Sequence, residues 1–153
     1  MAVEVRPITV DEARVVRAEV LRPGSTAEQC AWPLDNDPRT LHLGGYVDGE
    51  LATVASFIPE PHPQVALELH VPPTSLMKLR GMATREAFRG TGVGSAVLLQ
   101  GMDELARRSV EAVWCNARVT AQRFYERHGY STWGRVFENP PAGPHIVMWR
   151  RLL

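Results

Sequence analysis

The sequence has little of what several protein classes require. Its two cysteines, Cys30 and Cys115, are too few for a disulfide framework, which favours a reduced, cytoplasmic protein. No apolar run approaches the roughly 20 residues of a bilayer-spanning helix, and the acidic start does not resemble a signal peptide, so we expect no membrane attachment. Basic and acidic residues balance at 17 each, which excludes the charge excess typical of proteins that bind nucleic acid.

What remains is the composition of an ordinary globular domain. The 153 residues are 44% hydrophobic and 22% charged, enough to bury one core without disulfides or a structural metal. The chain has no internal repeat, low-complexity stretch or linker, so we expect residues 1–153 to form a single domain. Its histidines and cysteines show no metal-ligand spacing, and we expect no metal site.

Hydrophobic periodicity predicts an alternation of strands and helices. A capping box, Thr9-Val10-Asp11-Glu12, begins a helix that stops before Pro23-Gly24. Alternating segments on either side of Asp48-Gly49 predict a β-hairpin with a type I′ turn. Further predicted strands are 3–6, 76–84, 112–116, 130–137 and 145–152, and further helices are 92–108 and one that begins at Thr120. Residues 64–75 are ambiguous. This order predicts an α/β fold with a mixed sheet and helices on both faces.

One segment between a predicted strand and a predicted helix carries most of the chemical information. Arg89-Gly90-Thr91-Gly92-Val93-Gly94-Ser95 places three glycines within five residues. Glycine is favoured where a ligand approaches the backbone closely or where a turn needs a positive φ. A helix start also presents unpaired N–H groups and the positive end of the dipole, so with Arg89 the segment predicts a phosphate or pyrophosphate site. A tight turn that binds no ligand is the alternative.

Of three phosphate-binding patterns, one fits this segment. A P-loop needs a lysine after its glycines, and none follows here. A dinucleotide fingerprint needs a final glycine where this chain has Ser95 or Val97. The pattern R-x-x-G-x-G at the head of a helix is matched by Arg89, Gly92 and Gly94.

Together with a second motif, this segment resembles the GNAT superfamily of acyl-CoA-dependent N-acyltransferases. The run from Ala121 to Tyr130, AQRFYERHGY, looks like the family signature A-x-x-F-Y-x-x-x-G-[FY], and the element order matches over nearly the whole chain. The resemblance implies a mixed, mostly antiparallel sheet of six to seven strands with a splayed fourth strand. It also implies acetyl-CoA as the acyl donor and a primary amine of a small molecule or peptide as the acceptor, acetylated by direct attack in a ternary complex.

The resemblance also implies which residues would bind the donor. The pyrophosphate of coenzyme A would bind the backbone N–H groups of Arg89, Gly90, Thr91, Gly92, Val93, Gly94 and Ser95. Backbone groups of Met82, Ala83 and Thr84 would pair with the pantetheine arm, and an N–H near Met82 would stabilise the oxyanion. Asn116, at the end of a short strand, is a further candidate contact to the arm.

Tyr125 matches the family tyrosine that acts as general acid. A phenol with an ordinary pKa of about 10 is protonated at neutral pH and can donate a proton to the leaving thiolate. We expect Tyr125 to lie off the apolar stripe of its helix, which Phe124 shares with Ala121 and His128. A core aromatic is the alternative. The predicted fourth strand holds no carboxylate, so the base is left between His145, Glu28 and a chain of water molecules.

Several alternatives remain open at this stage. A non-catalytic acyl-CoA sensor and an acyltransferase for longer acyl chains fit the same motifs. The loops 22–40, 59–75 and 138–144 are expected to set the acceptor. Their acids Glu28, Asp35 and Asp37 either attract a cationic amine or form a solvated acidic loop, and Trp32 either lines the acceptor pocket or packs the loop. Cys115 is expected to be a buried, inert thiol. Many relatives dimerise, so a homodimer is compatible with the sequence.

Overall fold

Seven strands and four helices alternate along the chain, and a computed structural model describes all of it, from Met1 to Leu153. The strands are β1 (Val3–Pro7), β2 (Leu41–Val47), β3 (Glu50–Ile58), β4 (Leu76–Thr84), β5 (Ala112–Arg118), β6 (Ser131–Glu138) and β7 (Pro144–Arg151). The helices are α1 (Val10–Val20), α2 (Pro63–Leu69), α3 (Val93–Arg107) and α4 (Gln122–Arg127). None of these helices combines the length and apolarity needed to cross a bilayer.

The seven strands belong to one mixed sheet, and their residues fall into two compact units. The first unit holds residues 1–58 and 80–102, in which β1, β2 and β3 pair antiparallel. The second holds residues 59–79 and 103–153, in which β5 pairs antiparallel with β7, and β7 with β6. Strand β4 starts in the second unit, where Leu76–Lys78 runs parallel to β5, and ends in the first. The predicted α/β class and the mostly antiparallel sheet are confirmed.

Local signals in the first unit act as the sequence predicts. The Thr9 hydroxyl accepts the Glu12 N–H at 3.1 Å and the Glu12 carboxylate accepts the Thr9 N–H at 3.0 Å, so the capping box begins α1. Asp48 and Gly49 both adopt a positive φ, 48° and 86°, as a type I′ turn between β2 and β3 requires.

Helix α2 covers the first half of the segment 64–75, for which hydrophobic periodicity gave no clear prediction. Its N-cap is His62, whose Nδ1 accepts the Val65 N–H at 3.2 Å. Histidine is not among the side chains that usually signal a helix start, which explains why this helix escaped prediction. The His62 ring also makes edge contacts with Trp114 and Trp133, at centroid distances of 4.8 and 5.0 Å, so the side chain that caps α2 is packed against two aromatic rings.

A buried ion pair joins three parts of the first unit. The Arg17 side chain, on α1, has 0% exposure and donates two N–H groups to the Asp35 carboxylate, at 2.8 and 3.0 Å. It also donates to the Cys30 carbonyl at 3.0 Å and to the Ser56 hydroxyl of β3 at 2.8 Å. The buried Arg17 side chain of α1 therefore holds the irregular segment 22–40 in place through hydrogen bonds to Cys30 and Asp35.

Asp35 is the shared acceptor of this network. Its carboxylate also accepts the Trp32 backbone N–H at 3.0 Å and the Arg14 Nε–H at 3.3 Å. Burial opposes its ionisation, but the hydrogen bonds from Arg17 and Trp32 and the Arg17 charge outweigh burial and lower the pKa of the carboxyl. The expectation of a solvated acid at Asp35 is therefore wrong, because its carboxylate is buried and binds the guanidinium groups of Arg14 and Arg17.

The ion pair predicts a large loss of stability in Asp35→Asn. We expect the free energy of unfolding at pH 7 to fall by about 3–5 kcal/mol, because the buried Arg17 charge loses its partner. The pKa of Asp35 is lower in the folded protein than in the unfolded chain, so the wild-type ion pair stabilises the fold at pH values above the ordinary carboxyl pKa. This stabilisation is lost as the pH falls through the folded-state pKa. Urea titrations of both proteins between pH 7 and pH 2 measure the difference.

Asp37→Asn is the matched control, because Asp37 forms its ion pair with an exposed side chain, that of Arg39, at 2.9 Å. We expect this variant to unfold almost as the wild type does at pH 7. Equal losses in the two variants would contradict a special role for the buried pair.

Candidate functional site

The glycine segment 89–95 connects β4 to α3 and exposes its backbone. Gly90 and Gly92 adopt φ values of 78° and 85°, in the left-handed region that other residues enter at a cost. A Cβ added at either position would meet no atom within 4 Å, so the space over the backbone is open. The side chain of Thr91 closes the turn by donating to the Phe88 carbonyl at 2.7 Å. An anionic group can therefore approach this backbone without displacing a side chain.

Tight packing fixes the start of α3, whose first N–H groups have no partner within the helix. Val93 is buried with Val47 and Ala52 against Phe88. A Cβ on Gly45 of β2 would lie 2.6 Å from methyl carbons of both Val93 and Val97, so glycine is required for this close approach. The positive end of the α3 dipole is thus held at the glycine segment.

The second half of β4 precedes this segment and departs from regular strand geometry at Gly81. That residue has φ 68°, and a Cβ on it would lie 2.6 Å from the Trp32 ring. Met82 and Thr84 are half-buried, whereas Ala83 is buried in a cluster with Val16 and Val54. The Thr84 and Thr53 hydroxyls are hydrogen-bonded at 2.8 Å, which fixes the end of β4 in the first unit.

Tyr125 lies in the second unit and is the buried residue of α4. Phe124 is half-buried, so the predicted assignment of the two rings to the apolar and polar faces is wrong. The helix has only six residues, so Ala121, in the preceding 3₁₀ turn, and His128, the C-cap, which defined the predicted stripe with Phe124, both lie outside it. Burial raises the pKa of Tyr125 well above its ordinary value, so the phenol keeps its proton at neutral pH.

Asn116 and His145 lie on adjacent strands of the same unit. Asn116 is half-buried on β5, opposite Val147 of β7. His145, two residues earlier on β7, is buried, and its Nδ1 lies 2.8 Å from the Gly143 carbonyl. Because a carbonyl only accepts, Nδ1 carries the hydrogen, and a neutral His145 has its lone pair on Nε2.

Three other predicted candidates can be placed as well. Burial raises the pKa of Cys115 to about 12, so its thiol is not ionised and does not act as a nucleophile at neutral pH. Glu28 is exposed in a 3₁₀ turn, Glu28–Cys30. Hydrogen bonds from the Arg39 side chain and backbone N–H, with the Arg39 charge, lower the pKa of Asp37 to about 2, so this acid is already paired.

Sequence reasoning missed the cluster around Trp32. The Arg17 and Arg80 guanidinium carbons lie 3.9 and 4.2 Å from the centre of the Trp32 ring. One signal was available, because Arg17 occupies a position of the apolar stripe of α1 defined by Ala13, Val16 and Val20. Charged residues at such positions often have a buried partner.

Comparison with known proteins gives the family. Residues 6–130 match the model of the acetyltransferase (GNAT) family. The uncharacterized N-acetyltransferase YitI of Bacillus subtilis (strain 168) is 37% identical over 149 residues, which are 97% of this chain and 96% of that protein.

Two crystal structures show the same fold. The ribosomal-protein-S18-alanine N-acetyltransferase of Escherichia coli has a TM-score of 0.74 at 18% identity, over 99% of this chain and 94% of that one. An aminoglycoside 6′-N-acetyltransferase complexed with coenzyme A has a TM-score of 0.71 at 16% identity, over 100% of this chain and 98% of that one. The family model and the Bacillus subtilis relative show that the chain belongs to the GNAT family of acetyltransferases.

Proposed function

We propose that this protein transfers the acetyl group of acetyl-CoA to a primary amine of a small molecule or peptide, by direct attack in a ternary complex. The observation that carries this proposal is the uncovered backbone at Gly90 and Gly92, directly before a helix of 15 residues. Family membership supports acyl transfer, and coenzyme A accompanies one structural relative.

The glycine segment fits the diphosphate of the donor. Backbone N–H groups of Arg89 through Ser95 would donate to its oxygens, those of Arg89, Thr91 and Val93 in exchange for their present partners, the Glu86 and Phe88 carbonyls and the Thr91 hydroxyl. The dipole of α3 favours the negative charge. The Arg89 side chain is exposed beside these groups, and a guanidinium pairs well with a phosphate oxygen. Only glycine at positions 90 and 92 combines the observed φ values with an uncovered backbone.

Strand β4 would orient the pantetheine arm and the thioester. The positive φ of Gly81 is an irregularity within β4 just before Met82, and the parallel register of β4 with β5 covers Leu76–Lys78 and not these later residues. We propose that Met82, Ala83 and Thr84 pair with the arm and that the Met82 N–H stabilises the oxyanion. Asn116 is a further proposed contact to the arm.

The chemical step needs a proton at the leaving group and a lone pair on the amine. The amine nitrogen attacks the thioester carbon, the C–S bond breaks, and the thiolate takes a proton. We propose Tyr125 as the donor of that proton, since burial keeps its phenol protonated. We propose His145 as the base, acting through Nε2, because its Nδ1–H is held by the Gly143 carbonyl.

Gly92→Ala is expected to weaken coenzyme A binding at least tenfold. A Cβ would cover the backbone where the diphosphate approaches, in addition to the strain of a positive φ, which is about 1–2 kcal/mol. Gly49→Ala is the matched control, because Gly49 has φ 86° and nothing within 4 Å of its added Cβ. We expect both variants to lose stability and only Gly92→Ala to lose affinity by calorimetry. An unchanged dissociation constant in Gly92→Ala would refute the assignment.

Tyr125→Phe is expected to lower kcat for thiol release roughly 10²–10⁴-fold, the usual contribution of a general acid, and to leave coenzyme A affinity unchanged. Tyr130→Phe is the matched control, since its ring is also buried and lies 5.3 Å from that of Tyr125. It is expected to retain most of the activity. A kcat in Tyr125→Phe equal to that of the wild type would rule out Tyr125 as the general acid. Binding of coenzyme A by the wild-type protein without thiol release from any amine would favour the sensor alternative.

A further inference from the structure

We propose that His62 makes helix α2 sensitive to acid, so that protonation of its imidazole opens the helix and uncovers the apolar residues beneath it. The inference concerns the second unit alone and does not depend on the proposed function. It follows from the hydrogen bond that His62 makes, from the groups that surround its ring and from the packing of α2.

The N-cap of α2 uses the acceptor nitrogen of an imidazole. His62 Nδ1 accepts the Val65 N–H at 3.2 Å, so in the neutral ring the hydrogen lies on Nε2. A proton added to Nδ1 turns this acceptor into a donor that faces another donor. Protonation therefore removes the cap, and it places a positive charge at the end of the helix where the unpaired N–H groups already lie.

Two tryptophan rings hold the imidazole in this position. Its ring centre lies 4.8 Å from that of Trp114 on β5 and 5.0 Å from that of Trp133 on β6, both in edge contact. The Trp114 Nε1–H also donates to the Glu60 carbonyl at 2.9 Å, which fixes the chain two residues before the cap. His62 is half-buried as a result, so a protonated ring is only partly hydrated.

The charged groups around the imidazole do not compensate for this loss of hydration. The Lys78 ammonium of β4 and the Glu60 carboxylate lie beside the ring and form an ion pair at 3.1 Å. The titratable side chains of α2 itself, Glu68 and His70, are exposed. Burial lowers the pKa of His62 and the Lys78 charge adds to this, while a hydrogen bond to its own backbone and the Glu60 charge oppose the shift without reversing it.

Acid therefore favours the open form of α2. The folded-state pKa of His62 lies below that of an unfolded chain, so the closed helix binds fewer protons than the opened segment. The stabilisation is complete above the ordinary histidine pKa of about 6.5, declines as the pH falls below that value, and declines no further below the folded-state pKa. One such group raises the opening equilibrium at pH 5.5 by at most about tenfold.

The packing of α2 gives this opening a structural consequence. Val65, Ala66 and Leu69 are the buried residues of the helix, and they belong to one cluster with Leu76, Ala112, Trp114 and Val147. The helix has only seven residues, so the loss of its cap weakens a large part of it. An opened α2 would uncover the cluster within the loop 59–75, one of those expected to set the acceptor.

The test is amide hydrogen exchange of the whole protein at pH 7.5 and pH 5.5, corrected for the exchange rates of an unstructured chain. The amides of Ala66, His70 and Val71 donate within α2 and its end, and they report its opening. In the wild type we expect their protection to fall about three- to tenfold at the lower pH. In His62→Asn the protection should be the same at both values, because asparagine is a good N-cap that takes up no proton in this range.

His70→Asn is the matched control, because it removes an exposed histidine from the other end of the same helix. His70 is the C-cap with φ 58°, a conformation that asparagine also adopts readily. We expect this variant to keep the pH dependence of the wild type. Equal pH dependence in His62→Asn and the wild type, or wild-type protection that does not change with pH, would overturn the inference.

A titration of the wild type followed by NMR decides the question without any variant. The ring resonances of His62 and the indole N–H resonance of Trp114 should change together, with a midpoint below the ordinary value of 6.5. A midpoint at or above that value would also overturn the inference, since acid would then not favour the open helix.

Discussion

The buried pair of Arg17 and Asp35 is the interaction on which the first unit most depends. A buried ion pair is stabilising only when its remaining donors and acceptors are also satisfied. Here Asp35 accepts from two arginines and a backbone N–H, while Arg17 donates to Asp35, a carbonyl and a hydroxyl. The one buried donor of Arg17 without a partner is Nε, and a Cβ on Gly81 would lie 3.1 Å from it. The ion pair, Trp32 and the irregular geometry of β4 are therefore parts of one arrangement.

Glycine serves two different purposes in this molecule. At Gly45 and Gly101 an added Cβ would lie 2.6 Å from Val93 and 2.3 Å from Phe57, so these glycines let α3 pack closely on β2 and β3. At Gly90 and Gly92 the space is empty, and the glycines leave the backbone bare instead. The packed glycines hold the helix start in place, and the open ones present its N–H groups to a ligand. The proposed donor site needs both.

The sequence predicted the parts of the structure that are encoded locally. The Thr9 capping box, the Asp48-Gly49 turn and the bounds of β4 all depend on residues within a few positions of each other, and all are confirmed. The glycine segment was found for the same reason. Helix α2 was missed because a histidine caps it, and the burial of Tyr125 because two of the three residues that defined the predicted stripe lie outside the six-residue α4. The Arg17–Asp35 pair joins residues far apart in sequence, and both types are usually exposed, so periodicity could not reveal it.

The central claim is that the backbone of residues 89–95 binds the diphosphate of an acyl-CoA. Its most direct test is to titrate the isotopically labelled protein, of 17.0 kDa, with coenzyme A and follow the backbone amide resonances. The account predicts saturable shifts that are largest for the amides from Arg89 to Ser95, because their N–H groups would donate to the ligand. Unmoved resonances in this segment at millimolar coenzyme A, or shifts confined to other parts of the chain, would contradict it.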